Sequence, residues 1–341
     1  MGNGVTNLVG DNVAAGIIVY KAISVLGFAA IAWSIPRLAR SIGGDPALAL
    51  WLGVANPVIL LHLIGGMHNE SVMVGLVSLG LLAAVHDKFH LSLLLVGVAV
   101  SLKATAVFAA PFIVWLMLHH WAPKGTTPLK RFGVFLLSGV VAVAEVALAV
   151  AVITWASGSS WGWLSQISGN SKVINPLAGP TLLADILVPL IQVFSPDTTY
   201  NGVLSVLRSI AMILMLLGLV IVWWWGRTGV RRAIAATAAA YQVAFVFNSV
   251  TLPWYYASVL TLMGTFRPPL PLIKLTTGVA LFIGVAFAGD GNHQLYNWFW
   301  DIAMVVVAWS ATQWIFDGVP RTTAAMDEAD TPKTPKPARA E

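Results

Sequence analysis

Asn56-Pro57-Val58-Ile59-Leu60-Leu61-His62-Leu63-Ile64-Gly65-Gly66-Met67-His68-Asn69-Glu70-Ser71-Val72-Met73-Val74-Gly75 is the stretch on which the fold turns. An apolar run enters a glycine pair and a His-Asn-Glu cluster, and the chain then becomes apolar again at once. Ionisable groups at membrane depth are costly, and where they persist they usually mark a site. The stretch therefore points to a membrane enzyme or transporter.

Composition agrees. Of 341 residues, 58% are apolar and 10% charged, whereas a soluble domain has about 45–50% and about 25%. Runs of roughly 20 apolar residues, the length that crosses a bilayer as a helix, recur from Ala14 to Phe316. Only helices or closed barrels satisfy the backbone in hydrocarbon, and the alternating polarity of a barrel is absent, so the fold is expected to be an all-α polytopic membrane protein. With no cysteine in the chain, disulfides, thiol nucleophiles and thiolate metal sites are excluded. The formal charge of +5 comes from Lys and Arg between the apolar runs, where they set orientation rather than bind nucleic acid.

Apolar runs and their breakers predict helices near 14–35, 47–64, 71–86, 91–103, 104–118, 132–155, 203–225, 233–250, 254–266, 273–289 and 296–316. Residues 1–316 then form one membrane domain of about 10–11 transmembrane or re-entrant helices, with one larger extracytoplasmic segment from Trp155 to Gly202. Arg37 and Arg40, Lys88, Lys124 with Lys130 and Arg131, Arg227 with Arg231 and Arg232, and Arg267 with Lys274 fall in every second connection, as cytoplasmic loops require. That alternation holds only if Leu91 to His120 goes in and out again, with a break at an outward-facing Lys103. Residues 317–341, with Pro332-Lys333-Thr334-Pro335-Lys336-Pro337, are expected to be a disordered cytoplasmic tail. Met1 to Asp11 is polar and lacks a basic region, so no cleavable signal peptide is expected there. The missing basic flank before the first run points to a fragment of a longer protein.

Four basic residues fall on the outward side or within the membrane: Lys21, Lys103, Lys172 and Arg208. Cations there run against the usual bias, and a phosphate or pyrophosphate substrate accounts for them. Snorkelling accounts equally well for Lys21 and Arg208, and simple solvation for Lys172. Glu70, with His68 and Asn69, supplies either a general base or a metal-holding carboxylate beside groups that position a sugar hydroxyl or phosphate oxygen, or else a polar turn in which Glu70 caps the next helix. Glu145 and Asp301 lie inside apolar runs and suit a cavity or a neighbour's cation. Trp254 and Tyr255, in Pro253-Trp254-Tyr255-Tyr256, suit either an interfacial aromatic belt or a groove that stacks on a sugar or polyprenyl chain.

At these residues the chain resembles the actinobacterial polyprenol-phosphate-mannose-dependent alpha-1,6-mannopyranosyltransferases of the MptB type, in the GT-C superfamily. The matching pieces are Gly10-Asp11-Asn12-Val13, Pro36-Arg37-Leu38-Ala39-Arg40, Asn56-Pro57 through His68-Asn69-Glu70 to Gly75-Leu76, Ser101-Leu102-Lys103, and Pro253-Trp254-Tyr255. The resemblance implies a GT-C-like, multi-pass enzyme of the plasma membrane with its site on the outer face. It would move mannose from a polyprenyl-phosphate-mannose donor to an alpha-1,6-mannan glycolipid acceptor of lipomannan or lipoarabinomannan type. Its partners would be those two substrates and membrane lipids, with no nucleic acid and no cofactor. Family members are longer at the N-terminus and carry an acid in their first outward loop, so the resemblance supplies no catalytic base here; Glu70 is assigned that role by inference. His68, Asn69, Lys103, Lys172, Arg208, Trp254 and Tyr255 are the expected substrate-binding residues, and no metal ligand is assigned. A transporter or flippase for an anionic or polyprenyl-linked solute is the alternative, and a purely structural membrane subunit the third reading.

Overall fold

The computed structural model describes residues 2–66, 68–162 and 174–318. The first unit covers 1–267 and 287–293. Within it, helices α1 (Gly2–Val9), α2 (Val13–Ser41), α3 (Pro46–Gly53), α4 (Pro57–Gly65), α5 (Glu70–Val85) and α6 (Phe89–Leu102) lead to α7 (Ala104–Trp121). Then come α8 (Pro128–Ala156), α9 (Gly179–Gln192), α10 (Tyr200–Gly226), α11 (Val230–Phe247) and α12 (Ala257–Met263). The second unit holds α13 (Leu270–Ala286) and α14 (Trp298–Ile315), which pack on each other. There Gly278 faces Thr312, while the Thr277 and Thr312 hydroxyls donate to carbonyls one turn back in their own helices.

The chain is an all-α membrane protein, as composition requires. Among the described residues, α2, α7, α8 and α10 are long and apolar enough to cross a membrane, and the bent pair α3–α4 makes a fifth span if it counts as one. Expected spans 71–86, 91–103 and 273–289 are the shorter apolar helices α5, α6 and α13. The run expected at 47–64 is bent by 50° between Gly53 and Pro57. Asn56 starts the second half, its Oδ1 accepting the Val58 N–H at 2.9 Å, and Pro57 takes the first helical position, where a missing N–H costs nothing. Two helices were not expected: α1, and α9, in a segment counted as a loop. The tail from 319 onward lies outside the described residues.

The arrangement of α2, α5 and α6 positions everything polar. Gly27 of α2 sits against the Ser71 backbone, and Gly75 of α5 against the Gly27 carbonyl; a Cβ would come within 2.6 and 2.7 Å of them. Small residues let two apolar helices approach where the hydrophobic effect cannot drive them together. Farther along the same pair, Ser41 Oγ meets His86 Nε2 at 3.4 Å, so α2 and α5 run parallel. Gly80 faces Ser92 and Val96, while Glu70 meets Lys103, so α6 runs antiparallel to α5. α7 returns from the Lys103 break until His120 and Trp121 pack edge-on against Phe89.

Each of the three helices therefore has one end near Lys21, Glu70 and Lys103 and the other near Arg37, His86 and Lys88. About 16 residues of helix separate the ends, or roughly 24 Å. The second end gathers the cations of several connections. Arg231 donates from Nε to the Ile42 carbonyl (3.0 Å) and from Nη2 to that of Gly43 (2.7 Å), capping α2. Arg131 donates to the Ala122 carbonyl at 2.7 Å, and a cavity of about 240 Å³ is lined by Lys124, Arg131 and Arg227. Within the first unit, the basic residues at 37–40, 88, 124–131 and 227–232 gather at this one end; Lys274 belongs to the second unit.

Gly75→Ala should lower the unfolding midpoint in detergent, at a cost of about 1–3 kcal/mol from forced separation of α2 and α5. Gly139→Ala, where nothing lies within 4 Å of the new methyl, should leave it unchanged or slightly raised.

Candidate active site

The final turn of α4, Leu60–Gly65, is a π-helical turn, in which the Gly66 N–H reaches the Leu61 carbonyl at 2.9 Å. Such widened turns occur mostly at functional places in helices. A helix end leaves carbonyls without partners. Lys21 of α2 takes them: its ammonium donates to the carbonyls of Ile64, Gly65 and Gly66 at 2.5, 3.0 and 3.2 Å. All three of its donors are thereby used. Through these bonds Lys21 ties α2 to the glycine turn.

Gly66 fits because a side chain there would strike the carbonyls of His62 and Gly289 at 2.7 and 2.8 Å. His68 follows, its Nε2 donating to the Gly289 carbonyl at 2.7 Å. A carbonyl only accepts, so that nitrogen carries the hydrogen. The His68 ring stacks on Trp254 with centroids 3.5 Å apart and planes inclined by 17°. Trp254 is 9% exposed; its indole also lies near His62, at 5.9 Å, and against Gly291. One face of this tryptophan is thereby covered by the His68 ring.

Glu70 is the first residue of α5, where negative charge favours the helix dipole. Asn69 precedes it with an exposed side chain that makes no capping bond. The Glu70 carboxylate, 4% exposed, bonds the ammonium of Lys103, 20% exposed. Lys103 adopts an extended conformation between α6 and the 3-10 turn Ala104–Ala109 that starts α7, so its side chain leaves the helical ladder toward Glu70. On another side its ammonium lies 3.3 Å from the ring centroid of Tyr255, a cation–π contact. Tyr255 belongs to the 3-10 turn Pro253–Tyr256 and packs against Phe245 of α11.

Glu70, His68, Asn69, Lys103, Trp254 and Tyr255 thus come together at one end of the first unit. Arg208 of α10 lines a cavity of about 650 Å³ with Asn201, Ser205 and Ser249, and its Nη2 lies 3.5 Å from the Ser249 carbonyl. Ser249 and Tyr255 lie in the same connection, 248–256, which joins that cavity to the Lys103 cluster. Lys172 lies outside the described residues. Glu145 bonds Nδ1 of His90 on α6, and Asp301 lies in the first turn of α14. Sequence reasoning passed over His62, fully buried, both ring nitrogens without a hydrogen-bond partner among the described residues. Its only signal was a single histidine in an apolar run. Among those residues no three His, Asp or Glu side chains form a metal-ligand group.

The arrangement brings a carboxylate, an ammonium, an imidazole and an exposed amide together at one end of the first unit. Comparison with known proteins gives the family. Residues 1–119 match the family model described as alpha-(1->6)-mannopyranosyltransferase, N-terminal domain, and residues 180–316 match the MptB C-terminal domain. Alpha-(1->6)-mannopyranosyltransferase A of Corynebacterium glutamicum is 52% identical over 96% of this chain and 69% of its own length. The enzyme of the same description from Mycobacterium tuberculosis is 32% identical over 91% of this chain and 59% of its own. Alpha-(1->6)-mannopyranosyltransferase B of C. glutamicum is 29% identical over 48% of this chain and 29% of its own. The chain thus spans about two thirds of the A-type relatives it matches.

Lys103→Ala strands the Glu70 carboxylate in a buried place and should cost about 3–5 kcal/mol of stability. The neutral pair Glu70→Gln with Lys103→Met should recover most of that loss, as read from unfolding midpoints of the two single variants and the double.

Proposed function

The chain belongs to the alpha-(1->6)-mannopyranosyltransferase family, and from that premise we propose that it acts as a membrane mannosyltransferase taking its sugar from a polyprenyl-phosphate-mannose donor. The acceptor is an alpha-1,6-mannan glycolipid of lipomannan type, and transfer takes place on the outer face of the plasma membrane. The observation that carries this reading is the buried Lys103 ammonium held between the Glu70 carboxylate and the Tyr255 ring.

In the reaction the acceptor oxygen bonds to the anomeric carbon, the carbon–oxygen bond to phosphate breaks, and the electron pair leaves with the polyprenyl phosphate. The acceptor proton passes to a base. Lys103 meets the charge that grows on the departing phosphate, where a fixed cation in a dry site is worth most. The cavity at Arg208 offers a second cation for the donor's phosphate. Asn69 faces a sugar hydroxyl, and the His68–Trp254 stack holds the 65–70 turn in place beneath it. Glu70 works through Lys103 as a positioning residue, since its carboxylate is buried and already bound.

With polyprenyl-phosphate-mannose and a mannan acceptor in proteoliposomes, Lys103→Met should lower kcat by about 10²–10³. Glu70→Gln should lose a similar factor, the double variant should lose little more, and the acid limb of the pH–rate profile should persist in Glu70→Gln. Additive losses together with loss of that limb would return Glu70 to the role of base. Because the chain has no cysteine, single Asn69→Cys and Lys88→Cys variants test sidedness directly. A membrane-impermeant thiol reagent should modify the Asn69→Cys variant in intact cells and the Lys88→Cys variant only after permeabilisation, and the reverse pattern would overturn the outer-face site.

A further inference from the structure

At the end of α2, α5 and α6 remote from Lys103 lies a cavity of about 540 Å³. We propose that it binds the phosphodiester headgroup and upper acyl chain of an anionic glycerophospholipid. Three cations from two separate connections line it: Arg37 and Arg40 at the end of α2, and Lys88 at the start of α6. Orientation of the chain requires only that these residues lie on one side of the membrane. It does not require that they converge on one cavity.

They converge without a counter-charge. Among the described residues no acid lies within ion-pair distance of Arg37, Arg40 or Lys88. The acids nearest in sequence are engaged elsewhere. Asp87 turns away to His120 Nδ1 at 3.0 Å, and Asp45 caps α3 by accepting the Ala47 N–H at 2.8 Å. Arg37 is held in place: Nη1 donates to the Trp33 carbonyl at 2.6 Å, and its guanidinium lies 4.1 Å from the centroid of the Trp33 ring. Its remaining N–H groups suit the paired oxygens of a phosphodiester.

Ser41 and His86, 3.4 Å apart, line the polar end beside the cations, and the other wall is apolar, built by Leu79, Leu82, Leu91 and Leu95, with Leu91 and Trp33 half exposed on the outside of the bundle. A soluble phosphate would use the cations and leave that wall wet. A membrane lipid uses both, since basic pockets between membrane helices favour anionic headgroups and the wall continues the surface on which chains lie.

The test uses the full chain purified in detergent, freed of lipid, and titrated with phosphatidylglycerol, phosphatidylcholine or inorganic phosphate, with bound lipid read by native mass spectrometry. Phosphatidylglycerol should bind at least tenfold more tightly than phosphatidylcholine. Arg37→Gln with Arg40→Gln should weaken phosphatidylglycerol by about thirtyfold, and Lys88→Gln alone by about fivefold, leaving phosphatidylcholine unchanged. Should the double variant fail to fold, Lys88→Gln and the wild-type lipid comparison decide the matter. Equal binding of the two lipids, phosphatidylglycerol binding untouched by the variants, or displacement of the lipid by millimolar inorganic phosphate would each overturn the proposal.

Discussion

A lysine ammonium buried between a carboxylate and a tyrosine ring has no stable alternative inside a membrane protein. Lys103 is available to Glu70 because the helical ladder stops at Leu102 and resumes at Ala104, leaving one extended residue whose side chain crosses to α5. Removing either charge strands the other, which costs more than the pair itself contributes. The break, the pair and the Tyr255 contact therefore support one another, and they tie α5, the α6–α7 hairpin and the 248–256 connection into one cluster. Lys21 does the same for α2 by satisfying the last carbonyls of α4.

Seen from the helices, this is a segregation of two kinds of cation. Lys21 and Lys103 are bound to protein oxygens at one end, whereas Arg37, Arg40 and Lys88 are uncompensated at the other. Parallel packing of α2 and α5 through Gly27 and Gly75, with α6 antiparallel, places every member of each group at its own end. Within the first group, Lys21 bonds only main-chain carbonyls, while Lys103 meets a carboxylate and an aromatic ring.

Much of this was legible in the chain. The apolar runs located nearly all the helices, because the hydrocarbon core permits few alternatives to a helix. Alternation of Lys and Arg between connections required a break at Lys103, and the break is there. His68, Glu70, Lys103, Trp254 and Tyr255 were singled out and are neighbours. Their roles were not legible. Trp254 and Tyr255 read as open aromatic surfaces, yet one is covered by His68 and the other by the Lys103 ammonium. Lys21 read as a surplus cation, yet its partners are main-chain oxygens more than 40 residues away.

Sequence by itself determined the all-α membrane class, the position of the helix break and the grouping of cations by connection, because each follows from local hydropathy and charge within one segment. Only the tertiary structure decided which charges neutralise one another, which aromatics are covered, and that α4 closes on a π turn clamped by Lys21. Those outcomes depend on distances between helices far apart in the chain. Side-chain chemistry states what a residue is able to bond, and only packing decides which partner reaches it first.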